Sequence, residues 1–139
     1  MLRFAMTGLA ALCGLLAPAM PGFAQERKET HVAKVDADGV QRVRIVGGSY
    51  FFKPNHVVVK LNVPVELSVS RESGIAPHNL ILKAIEAGLA VEEDLGTDAR
   101  KIVFKPTAAG RYPFYCSKKL PFVAGHRERG MEGALEVVP

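Results

Sequence analysis

The chain has 139 residues, 48% of them hydrophobic and 23% charged, with a net charge of +4. That length holds about one domain with a single modest core, which excludes a multidomain machine. Two cysteines exclude a disulfide scaffold, glycines and prolines without period exclude a fibre, and the absence of any Lys/Arg run longer than two argues against a nucleic-acid partner.

Residues 1–24 read as a secretory signal peptide. Arg3 precedes an uncharged apolar stretch, Pro18 and Pro21 end it short of the ~20 residues a membrane-spanning helix needs, and Gly22-Phe23-Ala24 puts small residues at a cleavage point before Gln25. Export to the periplasm follows, with no membrane span after cleavage. The exported chain keeps one cysteine, Cys116, and one methionine, Met131. Structural thiols in an oxidising compartment normally come in pairs, so a lone one points to chemistry.

Residues 25–38 are polar and are expected to form a flexible lead-in, leaving 39–139 as the folded domain. From Val40 the pattern is that of strands. Val43 and Ile45 alternate with Arg42 and Arg44 until Gly47-Gly48 breaks the run before Tyr50-Phe51-Phe52. Residues 56–61 are β-branched, Asn62-Val63-Pro64 turns, and Val65, Leu67 and Val69 alternate with polar partners, which predicts a hairpin. A short apolar strand covers 78–83. Residues 84–95 have helical composition and are expected to form one short helix, weakened by Gly88. Ile102 and Phe104 alternate with lysines, Tyr112 opens an aromatic strand to Cys116, and Leu135 and Val137 close the chain. Seven or so short strands with turns every 8–12 residues predict an all-β, antiparallel Greek-key β-sandwich.

The chemistry lies between the last two strands. Cys116, His126 and Met131 fall within sixteen residues on one loop, and a second imidazole, His78, follows Pro77 at the start of an earlier strand. A thiolate, two imidazoles and a weak thioether are the donors of a blue-copper electron-transfer site. Taken singly, a cysteine or methionine is more often core filling; it is their conjunction that points to a metal.

The segments Pro77-His78-Asn79 and Tyr112-Pro113-Phe114-Tyr115-Cys116-Ser117, with His126 and Gly130-Met131-Glu132-Gly133, resemble the cupredoxins, and the spacing of His126 and Met131 is similar to that in plastocyanin and pseudoazurin. The resemblance implies one mononuclear copper held by His78, Cys116, His126 and Met131, with Asn79 bracing the turn through Ser117. Nine residues separate Cys116 from His126, where the family usually has two to four. With so long a loop, Glu128 or Glu132 competes with Met131 as fourth donor, as in the red-copper relative nitrosocyanin. A binuclear centre needs two cysteines and is set aside.

The insertion places Lys118, Lys119, Arg127 and Arg129 around apolar Leu120, Pro121 and Phe122, a surface suited to a transient redox partner with an acidic face. His31 and His56 read as solvated, and Glu92-Glu93-Asp94 as an exposed face. The expected function is a soluble single-electron carrier, not an enzyme, with no small-molecule substrate. The alternatives are catalysis at an open or carboxylate-bound copper and copper delivery or storage.

Overall fold

The computed structural model describes residues 28–139; the expected signal segment and its cleavage point lie outside the described residues. Ten strands form two facing sheets. In chain order they are β1 (Thr30–Val32), β2 (Gln41–Gly48), β3 (Phe51–Lys53), β4 (His56–Lys60), β5 (Val65–Arg71), β6 (His78–Ala84), β7 (Leu89–Leu95), β8 (Arg100–Phe104), β9 (Gly110–Tyr115) and β10 (Glu132–Val138). The larger sheet runs β1-β4-β10-β9-β6-β7 and the smaller β3-β2-β5-β8. The core lies between them because the strands alternate: Val43, Ile45, Leu67 and Val69 from one sheet face Val57, Val59, Leu80, Leu82 and Val137 from the other, all nearly sealed from solvent. No helix among the described residues is long and apolar enough to cross a membrane.

The sandwich agrees with the sequence expectation; four details differ. First, the pairing is mixed, with β1–β4, β4–β10 and β2–β5 parallel. Strands that cross between sheets return beside an earlier strand in its own direction.

Second, β4 and β5 form no hairpin, because they belong to different sheets. Asn62 takes a left-handed conformation (φ 58°) and turns the chain out of the first sheet. Buried Gln41 then anchors the crossover, its side chain donating to the Lys60 and Val63 carbonyls and accepting from the Lys60 N–H at 2.6 Å.

Third, residues 84–95 are not a helix. A single 3-10 turn, Ile85–Ala87, ends at Gly88 (φ 73°), and β7 then pairs with β6 across a tight connection. The period decides against the composition: Leu89, Val91 and Leu95 are buried and Glu93 between them half-buried, so every second residue turns inward while Ala90, Glu92 and Asp94 face out, the alternation of a strand. Gly88 is also required by space, since a Cβ there would lie 2.5 Å from the Lys105 carbonyl oxygen.

Fourth, the polar lead-in is partly ordered. β1 pairs with β4, the His56 N–H donates to the Glu29 carbonyl, and the Glu29 N–H donates to Asn55 Oδ1 at 2.9 Å. His56, expected to be solvated, is only 6% exposed. Its Nδ1 lies 3.0 Å from Thr30 Oγ1 and its Nε2 2.7 Å from Glu136 Oε2, so the ring is buried because both nitrogens have partners. His31 is exposed on β1.

Candidate metal centre

The antiparallel order of β6, β9 and β10 brings three chain segments to one end of the sandwich. His78 opens β6, Cys116 directly follows β9, and Met131 directly precedes β10. Alternation places His78 and Cys116 on the inner face, continuing Leu80 and Phe114, and leaves them 6% and 0% exposed. The donor atoms of His78, Cys116 and His126 all lie within 4.8 Å of one another. The two Nδ1 atoms are 3.1 Å apart, and His126 Nδ1 is 3.5 Å from Cys116 Sγ. Metal–nitrogen and metal–sulfur bonds of about 2.0–2.3 Å in a trigonal plane set donors about 3.6 Å apart, so these separations fit a metal ion.

Both imidazoles are held below the ordinary histidine range. Burial is the main cause for His78, followed by His126 and Arg71; burial is again first for His126, followed by Arg129. Their lone pairs are therefore available at neutral pH. The Asn79 N–H points at Cys116 Sγ from 3.5 Å, tying the sulfur to the start of β6. Asn79 Oδ1 accepts from the Ser117 N–H at 2.8 Å, and its Nδ2 donates to Ser117 Oγ at 2.9 Å. The side chain thus spans from β6 to the turn after the cysteine.

The long insertion does not lengthen the span between Cys116 and His126. The His126 N–H donates to the Lys118 carbonyl at 2.9 Å, closing the base of the insertion so that 119–125 leave and return at one point. Only Ser117 and Lys118 then intervene along the closed path. The Met131 N–H donates to the His126 carbonyl and the Cys116 N–H to the Met131 carbonyl, each at 3.0 Å, so Cys116, His126 and Met131 are joined through their backbones. Met131 is fully buried, with its Cε beside Gly47 and Leu95 near the end of β2. A Cβ on Gly47 would lie 3.1 Å from that Cε.

The two competing carboxylates are engaged elsewhere. Glu128 accepts from the Gly125 N–H at 3.0 Å, and Glu132 pairs with Arg127 at 3.0 Å. The cations of the insertion are also less free than their sequence suggests. Lys118 pairs with Asp94 at 2.7 Å, and Arg127, besides its pair with Glu132, stacks over Tyr115. Lys119 and Arg129 have no carboxylate within ion-pair distance among the described residues. Leu120 and Phe122 project into solvent, Phe122 entirely. The Glu92-Glu93-Asp94 run is paired throughout, with Lys83, Arg100 and Lys118 in turn.

One residue of the site escaped the sequence reading. Tyr50, in the two-residue turn between β2 and β3, meets the His126 ring edge to face, with centroids 5.2 Å apart at 83°. Neither spacing nor periodicity could have shown a contact so distant along the chain.

A model of the cupredoxin-like domain matches residues 8–126. The chain belongs to the cupredoxin-like family. The match begins inside the expected signal segment and ends at His126, so Met131 lies beyond it. Solved cupredoxin structures share the fold. The metal binding domain of the Streptococcus pneumoniae D39 Cu(I)-exporting P-type ATPase CopA superposes with a TM-score of 0.61 at 20% identity, covering 81% of this chain and 99% of that one. Reduced auracyanin from the photosynthetic bacterium Roseiflexus castenholzii gives 0.57 at 21% identity, over 70% and 97%. Auracyanin A, a blue copper protein from Chloroflexus aurantiacus, gives 0.55 at 23% identity, over 72% and 100%. No curated protein sequence matches the chain.

Proposed function

We propose that this cupredoxin is an exported single-electron carrier with one type 1 copper per chain, held by His78, Cys116 and His126 with Met131 as the weak axial donor. The observation that carries the reading is the convergence of two Nδ1 atoms and one buried sulfur at the closed base of the insertion. Copper bound there would supply a one-electron couple between Cu(I) and Cu(II). The protein's part is to keep the donors still while the charge changes: two are fixed at strand ends, and the third is held by its own backbone bonds. The prior engagement of Glu128 and Glu132 supports the thioether over a carboxylate.

The exposed end of the insertion supports transient docking of a redox partner. Leu120-Pro121-Phe122-Val123 has the pattern of a type II turn, with Pro121 second, Phe122 third (φ 61°) and the Val123 N–H reaching back to the Leu120 carbonyl. Phe122 occupies a position suited to glycine and buries nothing, so its ring has no role within the fold. Lys119, which lines the same surface hollow as Phe122, favours an acidic partner face. Residues 1–24 as a signal peptide support a periplasmic location.

Titration of the purified exported form with Cu(II) tests the reading. An intense visible thiolate-to-copper band, narrow copper hyperfine splitting and indifference to azide are expected, and Cys116→Ser should abolish the band. A red or azide-sensitive spectrum would favour an open catalytic site. A colourless protein whose thiol still titrates would refute a copper role.

A further inference from the structure

The turn joining β2 to β3 needs a left-handed residue at its second position, and the sequence puts a tyrosine there instead of the usual glycine or asparagine. Gly48 and Phe51 pair across it, leaving Ser49 and Tyr50 as a two-residue turn, and Tyr50 has φ 65°. A glycine would take that conformation freely, whereas a tyrosine there is strained, and strain of this kind collects where a side chain is needed in one place. The place is the site. Tyr50 makes a T-shaped contact with the His126 ring, and the Arg129 guanidinium stacks over the phenol at 4.8 Å while its Nη1 donates to the Tyr50 hydroxyl at 3.2 Å. Arg129 is itself fixed, its Nε donating to the Ala124 carbonyl and its N–H to the carbonyls of Gly125 and His126. The imidazole, phenol and guanidinium form a stack that starts and ends on the same loop, with the tyrosine reaching in from the opposite sheet.

His126 needs such a support. His78 and Cys116 sit on or beside strands of the larger sheet, but His126 belongs to the loop and is only half-buried. Its backbone is tied on both sides, yet those bonds leave the ring free to turn about its own side-chain torsions. On the ring, His78 lies at one side (centroids 4.9 Å apart) and Tyr50 at another.

We propose that Tyr50, backed by Arg129, is a positioning residue that fixes the His126 imidazole toward Cys116 and His78 and closes the solvent side of the metal site. The inference rests on the copper reading above. It adds that the closed character of the site depends on an aromatic from the β2–β3 turn as well as on the ligand loop.

Tyr50→Gly removes the ring and at the same time suits the backbone, so the variant should fold. In the copper-loaded protein it should acquire an azide-sensitive spectrum, show wider copper hyperfine splitting and lose Cu(I) to a chelator roughly tenfold faster, as expected when a group orienting a ligand is removed. Tyr50→Phe keeps the ring contact and should stay near the parent on all three readouts. Arg129→Gln should fall between them. A second measurement needs no metal: in the metal-free protein the His126 ring protons should carry a ring-current shift that Tyr50→Gly abolishes while the ring begins to sample more than one rotamer. A Tyr50→Gly protein matching the parent in azide response, hyperfine splitting and chelator rate would overturn the proposal. So would an unchanged His126 ring signal in the metal-free variant. If the parent itself gave no thiolate-to-copper band, the copper reading would fail, and the metal-free measurement would still decide whether Tyr50 positions the ring.

Discussion

Asn79→Ala isolates the strut between β6 and the cysteine turn. The substitution removes the Oδ1 acceptor of the Ser117 N–H at 2.8 Å and the Nδ2 donor to Ser117 Oγ at 2.9 Å. It leaves the Asn79 N–H, which points at Cys116 Sγ from 3.5 Å, in the backbone. Each ordinary hydrogen bond contributes about 1 kcal/mol, and an orphaned buried group costs about 1–3 kcal/mol. Asn79 is 5% exposed, but Ser117 reaches solvent, so water can take over its N–H and hydroxyl. The expected loss is therefore about 1–2 kcal/mol. Unfolding a domain of about 110 residues releases about 0.23 kcal/mol per kelvin, so the Tm should fall by about 4–9 °C. Thermal unfolding of the metal-free protein followed by circular dichroism measures this. Ser117→Ala, which keeps the backbone bond to Oδ1, should cost about half as much. A Tm within 1 °C of the parent in Asn79→Ala, or an equal loss in both variants, would refute the assignment of the strut to the Asn79 side chain. The thiolate-to-copper band should survive in both, because neither touches a donor.

Phe122→Gly should leave the Tm unchanged or raise it by up to about 4 °C, since it relieves a left-handed aromatic that contacts nothing; electron exchange with an acidic redox partner should slow at the same time, and a stability loss beyond 2 °C would show that the ring serves the fold. Gly47→Ala should lower stability by about 1–3 kcal/mol, because its Cβ would meet Leu95 Cδ1 at 2.9 Å and Met131 Cε at 3.1 Å in a filled core. Electron paramagnetic resonance of the copper form should change as well, through the displaced thioether, and an unaltered spectrum would count against Met131 as a donor. Met131→Leu should keep the visible band and raise the reduction potential, measured by redox titration; loss of the band would make Met131 a structural requirement instead.

How far the sequence reached depended on the range of each signal. Period-two patterns are local, and they located the core residues of β2 and β5 correctly because each strand has one buried face. The same signal, given less weight than composition, also lay in residues 84–95, where Leu89, Val91 and Leu95 mark a strand that Glu- and Ala-rich content disguised. The hairpin between β4 and β5 failed for a different reason. Asn62-Val63-Pro64 is a turn signal that says the chain changes direction, and nothing local says that it changes sheets; that depends on Gln41, some twenty residues earlier. The cluster of His78, Cys116 and His126 was legible as a candidate because its residue types are rare, and their conjunction needs no knowledge of the fold. Tyr50 is a common residue at a turn, and its relation to His126 exists only after the two sheets pack.

The insertion shows why a loop's length and a site's looseness are separate properties. Closing a flexible loop costs entropy that grows only with the logarithm of its length, so seven further residues add little once one bond fixes the neck. Here the neck is the His126 N–H on the Lys118 carbonyl, and the loop residues beyond it are free to project Leu120 and Phe122 outward without moving the imidazole. The loop has thereby divided its structure: its two ends, joined through Cys116, His126 and Met131, hold the candidate donors, and its middle projects into solvent. Cutting the insertion back to join Lys118 to Gly125 should therefore spare the site's geometry while removing its outer surface, read as an unchanged thiolate-to-copper band in the shortened protein.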